Sequence, residues 1–366
     1  MKTKIITTEE ATPGMIVAED IYGLQDYLII PAHSELTNHS ITRLKFYTID
    51  HILIEVNEEG EPTTPTAEFA DLMSDTYSEY IMKTPEFKKF DNSYDMAVSD
   101  FKTRIEILNG RLKNPLNTKE LYNDMRTILT DTRNGTHIIH MLECLKDSSD
   151  AIYHHSISVS ILCNVIGRWL KYSEKDIQNL TLAGMLHDIG KTTIPSAIID
   201  KPTRLTPAEF EIIKTHAQNG YDLLMEQHLD PHILNATLMH HERIDGSGYP
   251  QGLKGDQIDD FAQIVAMADI YIAMTNPRVY RRANCPFDAM KVFEQEGYQM
   301  FSPRLMLPFL EGMANSYVNA TIRLNDDRVG EIIFIDSHHI TRPLVKIGNE
   351  YINLKEHYNL HIQDVL

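Results

Sequence analysis

The chain has 366 residues, 42% of them apolar and 23% charged. That is enough for more than one compact module and for a sizeable core. Its net charge of −18, from 34 Lys and Arg against 52 Asp and Glu, argues against nonspecific binding to nucleic acid polymers or anionic membranes. An anionic ligand would need a locally positive site, built from metal ions or a few arginines. Cys144, Cys163 and Cys285 are scattered without paired spacing, as free thiols in a reducing compartment are. The start, "MKTKIITTEEATPGM", has neither a long apolar run nor a small-residue cleavage site, so no signal peptide is expected. With no run of roughly 18 apolar residues, no membrane span is expected either, and the expected location is cytoplasmic.

Residues 1–58 read as a small β-rich N-terminal module. "YLIIPA" (27–32) and "HILIEV" (51–56) are short apolar, β-branched runs bounded by polar turns. "HSITRLKFYTI" between them has room for one or two helical turns. Residues 59–124 read as a linker and helical connector, entered through the acidic, Pro- and Thr-rich "NEEGEPTTP".

Residues 125–315 follow a helical pattern. "SEKDIQNL" is a helix start, and "LTPAEFEIIK" is another, with Thr206 as cap, Pro207 first in the helix and Glu209 three residues after the cap. "TLAGMLHDIG" and "FAQIVAMADIYIAM" carry apolar residues at three-to-four spacing, as packed helices do. Residues 316–366 turn to strands, in a small β-rich C-terminal module. "VNATIRLNDDRVGEIIFID" is one strand pair around a polar turn, and "RPLVKIGNEYINL" is another, turning at Gly348-Asn349. The expected fold class is mainly α, a helical bundle flanked by two small β modules.

The helical segment also carries the metal-capable side chains. They are His155 in "YHHSISVS", His187 and Asp188 in "MLHDIGK", His216 in "IKTHAQNG", His240 and His241 in "HHERIDGSGYP", and Asp269 in "MADIY". Each interval is long enough for a helix pair, so a bundle can bring all of them to one cavity. Imidazole with carboxylate suits divalent transition metals, and seven ligands exceed what one ion needs. An Asp188 shared between two ions would give the geometry of two-metal phosphoester hydrolysis. His154 adjoins His155 and stays unassigned, as do the histidines outside these blocks. In the last block Glu242 and Asp245 are read as supports or caps of a turn, for which Gly246 and Gly248 supply the backbone freedom.

"HDIGK", "HHERIDGSGYP" and "ADIYIAMTNPRVYRR" together resemble the HD-GYP family, a branch of the HD phosphohydrolases. The resemblance runs over roughly residues 125–300 and includes "YHHSISVS" and "DKPTRLTPAEF". It implies a helical HD core and hydrolysis of cyclic di-GMP to linear pGpG or GMP, often with iron or manganese. Position by position, it implies metal ligands at His155, His187, Asp188, His216, His240, His241 and Asp269. The stretch ending in Tyr249 and Pro250 would form a lip beside them.

In the mechanism this implies, two metals activate a hydroxide beside Asp188, which attacks phosphorus in line with the departing 3′ oxygen. Lys191 would donate to a non-bridging oxygen or the leaving group. Arg278 and Arg281, ahead of Arg282, would hold the second phosphate or a guanine. Tyr249 and Lys201 are the further substrate-side candidates.

The chain departs from the family pattern in two informative places. Members with a third metal have glutamate four residues before the first ligand, where this chain has Ala151. The second carboxylate of the family's D-x-x-D is replaced by Ile272. Both changes remove an oxygen ligand, so two metal ions are expected and the third site is not. Val279 stands where the family usually has proline, a minor change.

The expected substrate is cyclic di-GMP. The rivals are another cyclic dinucleotide such as 3',3'-cGAMP, or a catalytically weak module that only binds such a ligand. The flanking modules leave room for a homodimer or a signalling-protein partner.

Overall fold

The structure, a computed structural model, describes residues 2–22, 28–30, 32–34, 36, 40, 41, 44, 49–57, 81–110, 115–130, 135–145, 151–201, 203–276 and 284–366. The chain divides into two compact units, Met1–Tyr80 and Ile81–Leu366.

In the first unit, β1 (Lys2–Thr7) pairs antiparallel with the sequence-distant strand at His51–Val56, in register from Lys2↔Val56 to Thr7↔His51. Two short strands, β2 (Ile21–Tyr22) and β3 (Leu28–Ile30), pair with each other, which makes the His51–Val56 strand β4. Val17, Leu36, Leu44 and Ile54 are buried at the centre of this unit's own apolar cluster. β3 and β4 fall within the two apolar runs expected as strands. β1 is a strand the sequence did not announce: its first four residues are exposed and only Ile6 is buried, so it carries little alternation.

The second unit is mostly helical. Its α-helices in chain order are α1 (Pro85–Asn109), α2 (Thr118–Thr130), α3 (Gly135–Glu143), α4 (Ala151–Trp169), α5 (Glu174–Leu186), α6 (Ser196–Ile199), α7 (Pro207–Lys214), α8 (His216–Leu224), α9 (Pro231–Met239), α10 (Asp260–Thr275), α11 (Pro286–Met300) and α12 (Pro303–Asn315). The two helix starts expected from the sequence are formed as such. Ser173 accepts from the Asp176 amide, and Thr206 and Glu209 close a reciprocal capping box before α7, each satisfying amides the helix itself leaves free.

α4 is the axis of the bundle, buried without interruption from Ser156 to Gly167, and it packs on α5, α10 and α1. The polar residues this burial enclosed are paired, as buried polar groups must be. Ser160 donates to the Thr181 carbonyl at 2.9 Å, and Asn164 Nδ2 donates to Thr181 Oγ1 at 2.9 Å. Burying each aromatic or aliphatic side chain here contributes about 1.5–3 kcal/mol, so the helices that carry the site have a rigid support.

After α12 the chain forms a five-stranded antiparallel sheet: β5 (Thr321–Leu324), β6 (Val329–Phe334), β7 (Leu344–Ile347), β8 (Glu350–Asn353) and β9 (Ile362–Val365), in the order β8-β7-β6-β5-β9. Both expected hairpins are present, and Gly348 takes a φ of 58° at the β7–β8 turn. β9, the edge strand beside β5, had no counterpart in the sequence reading. Ile322, Leu324, Ile332 and Val345 join the same apolar core as the helices. Among the described residues, no helix is long and apolar enough to cross a membrane.

Candidate metal centre

The site is assembled at helix ends. His187 follows the last residue of α5, and His240 follows the last residue of α9. His216 opens α8 directly after the end of α7. A helix leaves its last carbonyls without amide partners, and a nearby histidine can donate to them. That is what happens here. His187 Nδ1 donates to Gly184 O at 2.8 Å, His216 Nδ1 to Ile213 O at 2.7 Å, and His240 Nδ1 to Thr237 O at 3.0 Å. Since a carbonyl can only accept, each Nδ1 holds the proton and each Nε2 presents a lone pair to the centre.

These lone pairs converge on Asp188. Its Oδ1 lies 3.4 Å from His216 Nε2 and 3.8 Å from His240 Nε2. Its Oδ2 lies 3.3 Å from His187 Nε2 and 2.5 Å from Lys191 Nζ. The possible ligand atoms fall into two groups: Asp188, His216, His240 and His241, then His155, His187 and Asp188. Within each group they lie no more than 4.8 Å apart, and Asp188 belongs to both. Asp269 on α10 meets His155 on α4, with Oδ1 at 2.8 Å from Nε2. All seven side chains named from the sequence thus come to one place.

The donor set fits divalent cations. His216 Nε2 and His240 Nε2 face each other at 3.2 Å, although both Nδ1 atoms already carry the protons. His187 Nε2 and Asp188 Oδ1 are buried and make no hydrogen bond, an arrangement costing about 1–3 kcal/mol for each atom left unsatisfied. A cation between facing lone pairs removes that cost. Ala151 is exposed at the first position of α4, and Ile272 is buried in the core. Neither can contribute an oxygen ligand from its side chain.

At His216, His240, His241, Asp188 and Asp269 the electrostatics favour uptake without prior deprotonation. Burial pushes the imidazole pKa values of His216 and His240 below the ordinary value, and that of His241 down to about 3. For Asp188, burial opposes ionisation, but the Lys191 and His187 charges outweigh it and hold the carboxyl well below the usual range. Asp269 is likewise lowered against burial, by its hydrogen bond and charge contact with His155. His187 runs the other way: burial lowers it, yet Asp188 beside it raises it on balance.

A depressed histidine or carboxyl stays deprotonated in the fold while the unfolded chain takes up the proton. Its stabilising contribution is present above the unfolded pKa and lost as pH falls toward the folded value. The melting temperature of the metal-free protein is therefore expected to fall between about pH 7 and about pH 5, the range in which unfolded imidazoles titrate. His240→Gln should flatten that slope. A slope unchanged by the substitution would contradict the assignment.

The lip stands over one edge of this cluster. The Tyr249 ring stacks on His241, 4.6 Å between centroids and 26° between planes. The Tyr249–Pro250 peptide is cis. Asp245 accepts from the amide and hydroxyl of Ser247, at 2.8 and 2.6 Å, and holds the turn as the sequence suggested. At Gly248 a Cβ would lie 2.4 Å from Glu242 Cα and 2.5 Å from His241 O. The loop runs too close to the ligand segment for any side chain at that position.

The remaining sequence candidates are placed unevenly. Lys191 is half-buried against Asp188. Lys201 Nζ is held by both carboxylate oxygens of Glu209, at 2.7 and 2.6 Å. Arg278, Arg281 and Arg282 lie outside the described residues. His154 packs its ring against Tyr94, 5.4 Å between centroids. Sequence reasoning missed Lys214, whose Nζ sits 5.5 Å from the Tyr249 ring centroid and 5.2 Å from that of Phe210. A lysine near a helix end gives no signal of its own.

Comparison with known proteins agrees with this geometry. Residues 140–305 match the family model of the HD domain. A cyclic di-GMP phosphodiesterase of Pseudomonas aeruginosa is 34% identical over 205 residues, 56% of this chain and 49% of that protein. Another from Thermotoga maritima is 37% identical over 177 residues, 48% of each. A 3'3'-cGAMP-specific phosphodiesterase of Vibrio cholerae is 35% identical over 150 residues, 41% of this chain and 32% of that protein. The chain spans about half the length of the first two relatives and about a third of the third. Residues 140–305 thus match the HD domain in sequence, and the motifs that surround the Asp188 cluster resemble those of the HD-GYP type.

Proposed function

We propose that this chain is a metal-dependent phosphodiesterase that opens cyclic di-GMP to linear pGpG, using two divalent ions, iron or manganese. The observation that carries the reading is the buried Asp188 carboxylate common to two ligand groups, since a shared carboxylate is how two ions are held close together. Ions bound there would neutralise a phosphate and lower the pKa of a water toward about 7.

The chain's own groups supply the rest. His187, His216 and His240 are held by helix-end carbonyls with their lone pairs inward, so these three rings need not turn to meet an ion. The Lys191 ammonium, bonded to Asp188 Oδ2, would donate to a non-bridging oxygen or to the departing 3′ oxygen. Tyr249 forms a wall of the mouth, and a base can stack on its edge of the site. Arg278 and Arg281 are proposed for the second phosphate. Lys201 would have to exchange Glu209 for substrate in order to take part.

The Vibrio relative specific for 3'3'-cGAMP supports a second reading, in which the same centre takes that dinucleotide. The test is anaerobic purification, metal analysis, and parallel assays of cyclic di-GMP and 3',3'-cGAMP with iron or manganese. Conversion of cyclic di-GMP to pGpG at two ions per chain is expected. Faster turnover of cGAMP would favour the second reading, and no turnover of either at full loading would overturn both.

A further inference from the structure

Glu242 is the acid that follows the two adjacent histidines, and its side chain does not join the ligand groups. It is 2% exposed and turns toward the lip. Its Oε1 accepts from the amides of Gln251 and Gly252, at 2.6 and 3.1 Å, and its Oε2 accepts from the Leu253 amide at 3.0 Å. Three consecutive loop amides thus end on one buried side chain. The same loop is pinned at its other end, where the Tyr249 amide donates to His241 O at 3.2 Å, and it passes in backbone contact at Gly248. An ionised carboxylate offers acceptors only, which suits three donors, and bonds from amides to a charged acceptor are the stronger kind.

We propose that Glu242 is a positioning residue that locks the 248–253 lip, so that the Tyr249 ring is held over His241 and the substrate mouth keeps one shape. The inference rests on the phosphodiesterase reading for its effect on substrate, but the lock itself is a property of the fold. His241, Glu242 and Tyr249 then form a single unit. The segment that offers a ligand atom to the metal centre also clamps the loop that borders it. A glutamine in place of Glu242 keeps the volume. Its one oxygen can serve two amides, while its amide group would face the third donor with a donor of its own. Aspartate keeps both oxygens but withdraws them by one methylene.

The test compares Glu242→Gln and Glu242→Asp with the unaltered chain. Hydrogen exchange at the amides of Gln251, Gly252 and Leu253 needs no substrate and reads the lock directly. Exchange there should accelerate about a hundredfold in Glu242→Gln, with α4 and α10 unchanged. With metal loaded, KM for the cyclic dinucleotide should rise about tenfold with kcat changed less, because a mobile wall costs binding order. Hydrolysis of bis(p-nitrophenyl) phosphate, a small diester that does not need the lip, should stay within about twofold. Glu242→Asp should fall between the two. In a Tyr249→Ala background the Glu242→Gln effect on KM should vanish, since the lock then has no ring to hold.

Unchanged exchange at residues 251–253 would overturn the proposal, as would a parallel loss of both hydrolytic activities. If the unaltered chain turns over the small diester but no cyclic dinucleotide, the substrate reading fails. Exchange then still decides the lock.

Discussion

Asp188→Ala is expected to cost the protein both its metal and its activity. The carboxylate meets His187 and Lys191 through one oxygen and His216 and His240 through the other, so no other single side chain is common to both ligand groups. Its removal leaves imidazoles facing one another without the negative charge that offsets a pair of cations. Metal content should fall by at least half, measured after anaerobic reconstitution and desalting. Hydrolysis should fall roughly 10³-fold or more, since an ion contributes several kcal/mol to the transition state and about 1.4 kcal/mol is a factor of ten. Asp188→Asn separates charge from shape: it retains the volume and one acceptor, and should still lose most of the activity. Full metal content with ordinary turnover in Asp188→Ala would refute the bridging role.

The second large effect is expected at Gly190, in the "HDIGK" motif. A Cβ built there would lie 1.9 Å from His216 O, 2.5 Å from Gly220 N and 2.8 Å from His216 C. All three are backbone atoms of α8, the helix that carries His216, and backbone cannot yield as the end of a flexible side chain can. Gly190→Ala must push α8 away from the turn that carries Asp188. We expect a destabilisation of about 3 kcal/mol or more, the upper range for overpacking. The melting temperature should drop by more than about 5 °C, with loss of metal because His216 is displaced relative to Asp188. A stable Gly190→Ala variant with full metal content would show that the contact relaxes without moving the ligand.

These two positions stand two residues apart in the motif and show how different kinds of information entered the sequence. Asp188 was legible as a candidate ligand only in combination: a His-Asp pair alone occurs often by chance, but His155, His187, His216, His240, His241 and Asp269 stand at intervals that a helical bundle can bring together. Gly190 was legible only as part of a pattern. Its reason is a close approach between segments that chain distance does not reveal. Likewise the caps at Ser173 and Thr206 could be read directly, because a cap is a local hydrogen bond between neighbours. β1 and β9 could not. β1 finds its partner far along the chain at His51–Val56, and β9 pairs with β5, while neither short run has strong alternation of its own.

The sequence by itself determined the mainly helical architecture with β structure at both ends. It also named the seven side chains that converge on the site, because apolar spacing and ligand chemistry are written in residue types. The tertiary structure decided what those side chains do to one another. It set three imidazoles against helix-end carbonyls so that their Nε2 atoms turn inward, and it put Asp188 in common between two groups. It also gave Lys201 to Glu209 and turned the Glu242 carboxylate to the lip. These outcomes depend on distances and directions between segments far apart in the chain, which packing fixes and residue order does not. "HHERIDGSGYP" thus divides along its length: two imidazoles in the Asp188 cluster, one acid bonded to the loop amides, and a tyrosine stacked on His241.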